Sequence, residues 1–204
     1  MPILYYSSNL NPRLCLATAR HLNAPVRYQA AEPLGPKAAE FAHLNPNLRV
    51  PVLARDDGST LWETDAIACE LARLSGQPGF FPDGAQLPEM LRWLSWTAMH
   101  WGLAGSGLYY QRLLVSRYGL PPLGEREMTH HLSEFKRLAD ILDAHLSGHH
   151  WMLGEALTYA DFRVGALLPF AEAIDLDLSG HPQIARLAAQ LNELPAWRDP
   201  FAGL

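Results

Sequence analysis

Cysteine is scarce in this chain: 204 residues include two, Cys15 and Cys69. Neither belongs to a Cys-x-x-Cys pair, and no His-Glu-x-x-His occurs, so zinc-type ligand spacing is missing and no metal is expected. Both thiols fall inside helical patterns and are expected to be packed and free, as in a reducing cytoplasmic compartment. Charge is also modest. Lys and Arg number 16 against 21 Asp and Glu, for a formal net charge of -5. A phosphate backbone needs a basic face, and here the basic residues are scattered, so no nucleic-acid partner is expected. No apolar run approaches the roughly 20 residues of a membrane span, and "MPILYYSSN" lacks the basic segment and long apolar stretch of a secretory signal. No membrane partner is expected. There is no G-x-S-x-G elbow, and "GLAGSG" at 102–107 follows no strand, so it is no phosphate loop. The pairs His130-His131 and His149-His150 are sequence neighbours, which point apart on a helix and make poor joint ligands.

What is present is a globular composition, 49% hydrophobic and 18% charged. "PILYY" (Pro2 to Tyr6) suits a buried strand. Asn11 offers a cap and Pro12 a first helical residue for a helix running to His21. "APVRYQ" (Ala24 to Gln29) follows as a second strand, which makes a parallel βαβ unit. After an irregular stretch with one short helix around residues 37–44, Val50 to Glu63 place two apolar runs around "DDG", a hairpin signal. "TDAIACELARLSG" reads as a helix capped by Thr64 or Asp65, with Ile67, Leu71 and Leu74 as its stripe. Residues 77–88 are rich in Pro and Gly and read as a linker. Beyond it no strand pattern is convincing. Met128, Leu132, Phe135, Leu138, Leu142 and Leu146 recur at helical spacing, and Thr158 with Asp161 makes a capping-box pattern. The expected organisation is an α/β domain over 1–76, the linker, and an all-helical domain over 89–204.

Three features of the first part belong together. The turn "SSNLNPR" joins the first strand to its helix. "RVPVL" has Val50 before Pro51 at a strand start. "ETDAI" sets Glu63 and Thr64 at a helix start. Each alone has an ordinary explanation: capping, an edge proline, and dipole partners. Their order along the chain, with "NPNLRVPVL", "LWETDAI" and "LTYADFRVGALL" as the most specific pieces, resembles the cytosolic glutathione transferase family of bacterial type, over essentially the whole chain.

That resemblance implies a thioredoxin-like N-terminal domain that binds glutathione, an all-α C-terminal domain, and a homodimer that detoxifies small hydrophobic electrophiles. Pro51 matches the family's cis-proline, whose geometry lets the Val50 N–H and C=O pair with the cysteinyl part of the tripeptide. Glu63 and Thr64 match the acidic-hydroxyl pair for the γ-glutamyl end, where a helix N-terminus suits a carboxylate. Arg49 and Lys37 are the candidate partners of the glycyl carboxylate. At the opening turn, Ser8, Asn9 and Asn11 fall where different subgroups carry the group that contacts sulfur. A bacterial subgroup has cysteine where this chain has Asn11, so mixed-disulfide chemistry is disfavoured. Ser8 is expected as hydrogen-bond donor to the sulfur, with Asn11 as a second donor. Tyr5 and Tyr6 lie on the strand and are expected as core or wall. For the electrophile, residues 92–112 supply Trp96, His100 and Tyr109, with Trp93, Trp96 and His100 on one helical face. Glycines 102, 105 and 107 are expected to bend or break that helix. The alternatives are a glutathione-dependent isomerase or reductase, and a non-catalytic binding module of the same fold.

Overall fold

The computed structural model describes residues 1–32 and 38–204. Strand β1 (Ile3–Tyr6) leads into helix α1 (Leu10–His21) and strand β2 (Arg27–Ala30). A four-residue helix α2 (Ala38–Phe41) precedes the hairpin of β3 (Val52–Ala54) and β4 (Thr60–Trp62), and helix α3 (Thr64–Leu74) follows directly. The sheet order is β2-β1-β3-β4. β1 and β2 are parallel, as a strand–helix–strand crossover requires, and the other two pairs are antiparallel. The "DDG" turn is closed by Arg55 N to Ser59 O at 2.8 Å, and the Asp57 carboxylate accepts from both the N–H and the hydroxyl of Ser59. Leu4, Leu14, Leu16, Val52, Leu53, Ile67 and Leu71 form the buried centre of this part.

One correction concerns the start of α1. The helix starts at Leu10, two residues before the expected position, with Asn9 as N-cap and Asn11 inside the first turn. Proline is tolerated anywhere before the first intrahelical N–H bond, so Pro12 did not fix the start. By its packing the chain divides into two compact units, Met1–Asp83 with Asn192–Leu204, and Gly84–Leu191. The cause is visible in α1. Arg13 is buried, its Nη2 donates to the carbonyl of Trp197, and its guanidinium lies 4.9 Å from the Trp197 ring. Burial lowers the Arg13 pKa to about 10, against an opposing pull from Asp199. Arg20 donates to Ala202 O at 2.5 Å.

The second unit carries helices α4 (Leu87–Trp96), α5 (Gly102–Tyr109), α6 (Val115–Tyr118), α7 (Glu125–Leu146), α8 (Tyr159–Gly165) and most of α9 (Pro182–Asn192). A last short helix, α10 (Pro195–Arg198), belongs to the first unit. α4, α5 and α6 are joined by π-helical turns at Thr97–Trp101 and Tyr110–Leu114. The glycines do not break this run. They allow close packing instead: a Cβ on Gly105 would lie 2.0 Å from Leu167 Cδ1, and one on Gly107 would lie 2.4 Å from the His131 ring. His131 therefore takes the inward position on α7, and Leu132, expected in the buried stripe, is 52% exposed. The Thr158–Asp161 pattern does form a capping box at α8. Among the described residues, no helix is long and apolar enough to cross a membrane.

Candidate functional site

The strand register brings three segments to one end of the sheet. Tyr5 pairs with Val52, and Val52 pairs with Trp62. Because β3 runs antiparallel to both neighbours, the exit of β1, the entry of β3 and the exit of β4 coincide. Those are the positions of the Ser7–Asn9 turn, of Arg49–Val50–Pro51, and of Glu63–Thr64.

At the first segment, Ser8 is exposed and Asn9 is half-buried, with its Nδ2 donating to Ser7 Oγ at 3.2 Å. The first intrahelical bond of α1 runs from Arg13 N to Asn9 O at 3.0 Å, so the N–H groups of Leu10 and Asn11 precede it. No acidic residue occupies this first turn, and Arg20 and His21 sit in the last. The N-terminal end of α1 therefore presents unneutralised positive dipole to an anion. Asn11 is exposed there. Tyr5 packs edge-on against Phe41 at 5.9 Å, in keeping with a wall position.

At the second segment, the Val50–Pro51 peptide bond is cis. Pro51 is buried, Val50 half-buried and Arg49 exposed. At the third, Glu63 is exposed and held at φ 73, a left-handed conformation uncommon for a residue with a side chain. Such outliers persist where the surroundings over-determine them and cluster at ligand sites. Thr64 is the first residue of α3 and is 6% exposed. Its carbonyl accepts from the buried Cys15 thiol at 3.7 Å, which ties α1 to the start of α3. Neither Cys15 nor Cys69 is in a disulfide among the described residues. Lys37 lies outside the described residues.

The aromatic candidates lie on the second unit, and their arrangement differs from the expected face. Trp93 is buried and packs edge-on against Trp96 at 5.2 Å. Trp96 is half-buried, and its ring stacks with that of Trp101, not with His100 (6.3 Å, 11°). The π turn explains the change, because its i→i+5 bonding places a residue five positions on, not four, over Trp96. His100 is turned out to solvent. Tyr109 is 5% exposed and packs edge-on against Phe170 at 5.0 Å, so its ring is part of the core.

Asn45 precedes a proline, a recognised turn signal. It is 2% exposed, and its Nδ2 donates to Arg49 O at 2.9 Å. Arg13, which has no assigned role in the sequence alone, is a buried cation on α1 itself.

The family model described as "Glutathione S-transferase, N-terminal domain" matches residues 12–74, and that described as "Glutathione S-transferase, C-terminal domain" matches residues 121–204. Glutathione S-transferase GstB of Escherichia coli (strain K12) is 30% identical over 165 residues, spanning 78% of this chain and 76% of that one. Among solved structures, a glutathione S-transferase from Rhodospirillum rubrum F11 superposes with a TM-score of 0.86 at 21% identity, covering 100% of this chain and 93% of the other. A sphingomonad glutathione S-transferase complexed with glutathione superposes with a TM-score of 0.83 at 21% identity, covering 97% and 96%.

Proposed function

The chain belongs to the glutathione S-transferase family, and we propose that it binds glutathione at the end of its sheet and presents the thiol, as thiolate, to a small hydrophobic electrophile. The convergence of the three segments set by the Tyr5–Val52–Trp62 register carries this reading. An extended tripeptide has polar groups for all three. Glu63 and Thr64 receive the γ-glutamyl end, whose carboxylate suits the N-terminus of α3 and whose ammonium suits the Glu63 carboxylate. The Val50 backbone pairs with the cysteinyl part. Arg49 is the described partner for the glycyl carboxylate, and the family resemblance adds Lys37 from outside the described residues. Ser8 donates to the sulfur, and Asn11 adds a second donor beside the N-terminus of α1.

A thiol of ordinary pKa, about 8.5, is mostly protonated at neutral pH. Lowering it by two units takes about 2.7 kcal/mol of differential stabilisation. One charge-assisted hydrogen bond together with a helix dipole supplies energy of that order. Trp96 and His100 are the accessible aromatic candidates for contact with the electrophile. Tyr109, the third candidate, is 5% exposed and packs on Phe170.

Retention on immobilised glutathione together with turnover of an aryl halide tests the reading. Retention without turnover across a broad electrophile panel moves the chain to the non-catalytic module, and turnover of a glutathione conjugate without net consumption of thiol moves it to an isomerase. We also propose that two copies associate, as the family resemblance implies. Light scattering after size exclusion should return twice the chain mass at micromolar concentration, and a monomer there contradicts the association.

A further inference from the structure

Asn45, near the sheet end, uses all four of its backbone and side-chain amide groups. Its N–H donates to Phe41 O at 3.2 Å, and its C=O accepts from Leu48 N at 2.9 Å. Its Oδ1 accepts from Asn47 N and its Nδ2 donates to Arg49 O, both at 2.9 Å. One side chain thus closes the turn before Val50, in which Leu48 is held at φ 51. An amide does this at both ends at once, because its oxygen accepts while its nitrogen donates.

The bond to Arg49 O has a directional consequence. The peptide between Arg49 and Val50 is trans, and in a planar trans peptide the C=O and N–H point opposite ways. Asn45 pulls the Arg49 carbonyl toward itself, so the Val50 N–H is aimed away from Asn45. Among the described residues no backbone acceptor receives it. We infer that Asn45 is a positioning residue for glutathione binding, which holds the Val50 N–H where the cysteinyl carbonyl of the tripeptide accepts from it. This rests on the proposed glutathione site and adds a residue to it that touches no ligand atom.

The test uses two variants of the full chain and two ligands. Asn45→Asp keeps the size and the acceptor for Asn47 N–H but replaces the donor with an oxygen facing Arg49 O. Asn45→Ser keeps a turn-forming hydroxyl but is too short to reach that carbonyl. The ligands are glutathione and its thioamide analogue, in which sulfur, a weaker acceptor, replaces the cysteinyl carbonyl oxygen and the planar, uncharged linkage is kept. Wild-type protein should bind the analogue about tenfold more weakly than glutathione, the order expected for one hydrogen bond. Both variants should bind glutathione about tenfold more weakly and discriminate between the two ligands by less than about twofold. Thermal melts establish that each variant is folded at the assay temperature. A folded variant that keeps wild-type affinity, or that loses affinity yet keeps the full discrimination, overturns the inference. A wild-type chain that binds neither ligand overturns the glutathione reading itself.

Discussion

Ser8→Ala is expected to lower turnover at pH 7 by between about 10-fold and 100-fold while leaving glutathione affinity within about twofold. The hydroxyl is small and exposed, so little packing is lost. In the account above its contribution is a hydrogen bond that is stronger to the thiolate than to the thiol. Losing it raises the pKa of the bound thiol by one to two units, which removes that share of the reactive anion at neutral pH. The pH profile should shift accordingly. The rate of Ser8→Ala should keep rising at alkaline pH, where wild type has reached its plateau, and the two should converge there. A conjugation rate within about twofold of wild type across the profile would assign the sulfur contact to Asn9 or Asn11.

The second large effect concerns the fold. Asp161→Ala is expected to lower the unfolding free energy by about 3–5 kcal/mol, seen as a drop of roughly 10 °C in the thermal midpoint. Asp161 is 0% exposed. Its Oδ2 accepts from Thr158 N at 2.8 Å and from Thr158 Oγ1 at 3.1 Å, and its Oδ1 accepts from Met152 N at 2.7 Å. Alanine leaves two buried backbone N–H groups without acceptors and removes the cap of α8. A midpoint within about 2 °C of wild type would contradict this.

Asp161 also gives stability a pH dependence. Burial outweighs its hydrogen bonds and pushes its carboxyl from 3.8 up to about 6. The folded chain therefore holds this proton at a pH where the unfolded chain has released it. The contribution favours folding fully below about pH 4 and declines as pH rises to about 6. Subtracting the Asp161→Ala stability curve from that of wild type should isolate this decline, and parallel curves between pH 4 and 6 would refute it.

The parts of this architecture set by local chemistry were legible in the sequence. The "DDG" hairpin, the Glu63–Thr64 helix start and the Thr158–Asp161 box each depend on residues within a few positions of one another. The start of α1 was misplaced because both Asn9 and Asn11 are acceptable caps and Pro12 is compatible with either. The register of Trp96 with Trp101 depends on a π turn, which leaves no period of its own in the sequence. The return of residues 192–204 to the first unit depends on Arg13 meeting Trp197, a contact that spans nearly the whole chain and has no local signature. Asn45 was legible as a turn former, but its bond to the Arg49 carbonyl required the folded loop.

Every role assigned at the sheet end requires that glutathione bind, and isothermal titration of the wild-type chain with glutathione measures that directly. A saturable heat at one tripeptide per chain, with protons released at neutral pH as the bound thiol ionises, is the predicted result. No heat of association at millimolar glutathione would contradict it and leave a transferase fold serving some other ligand.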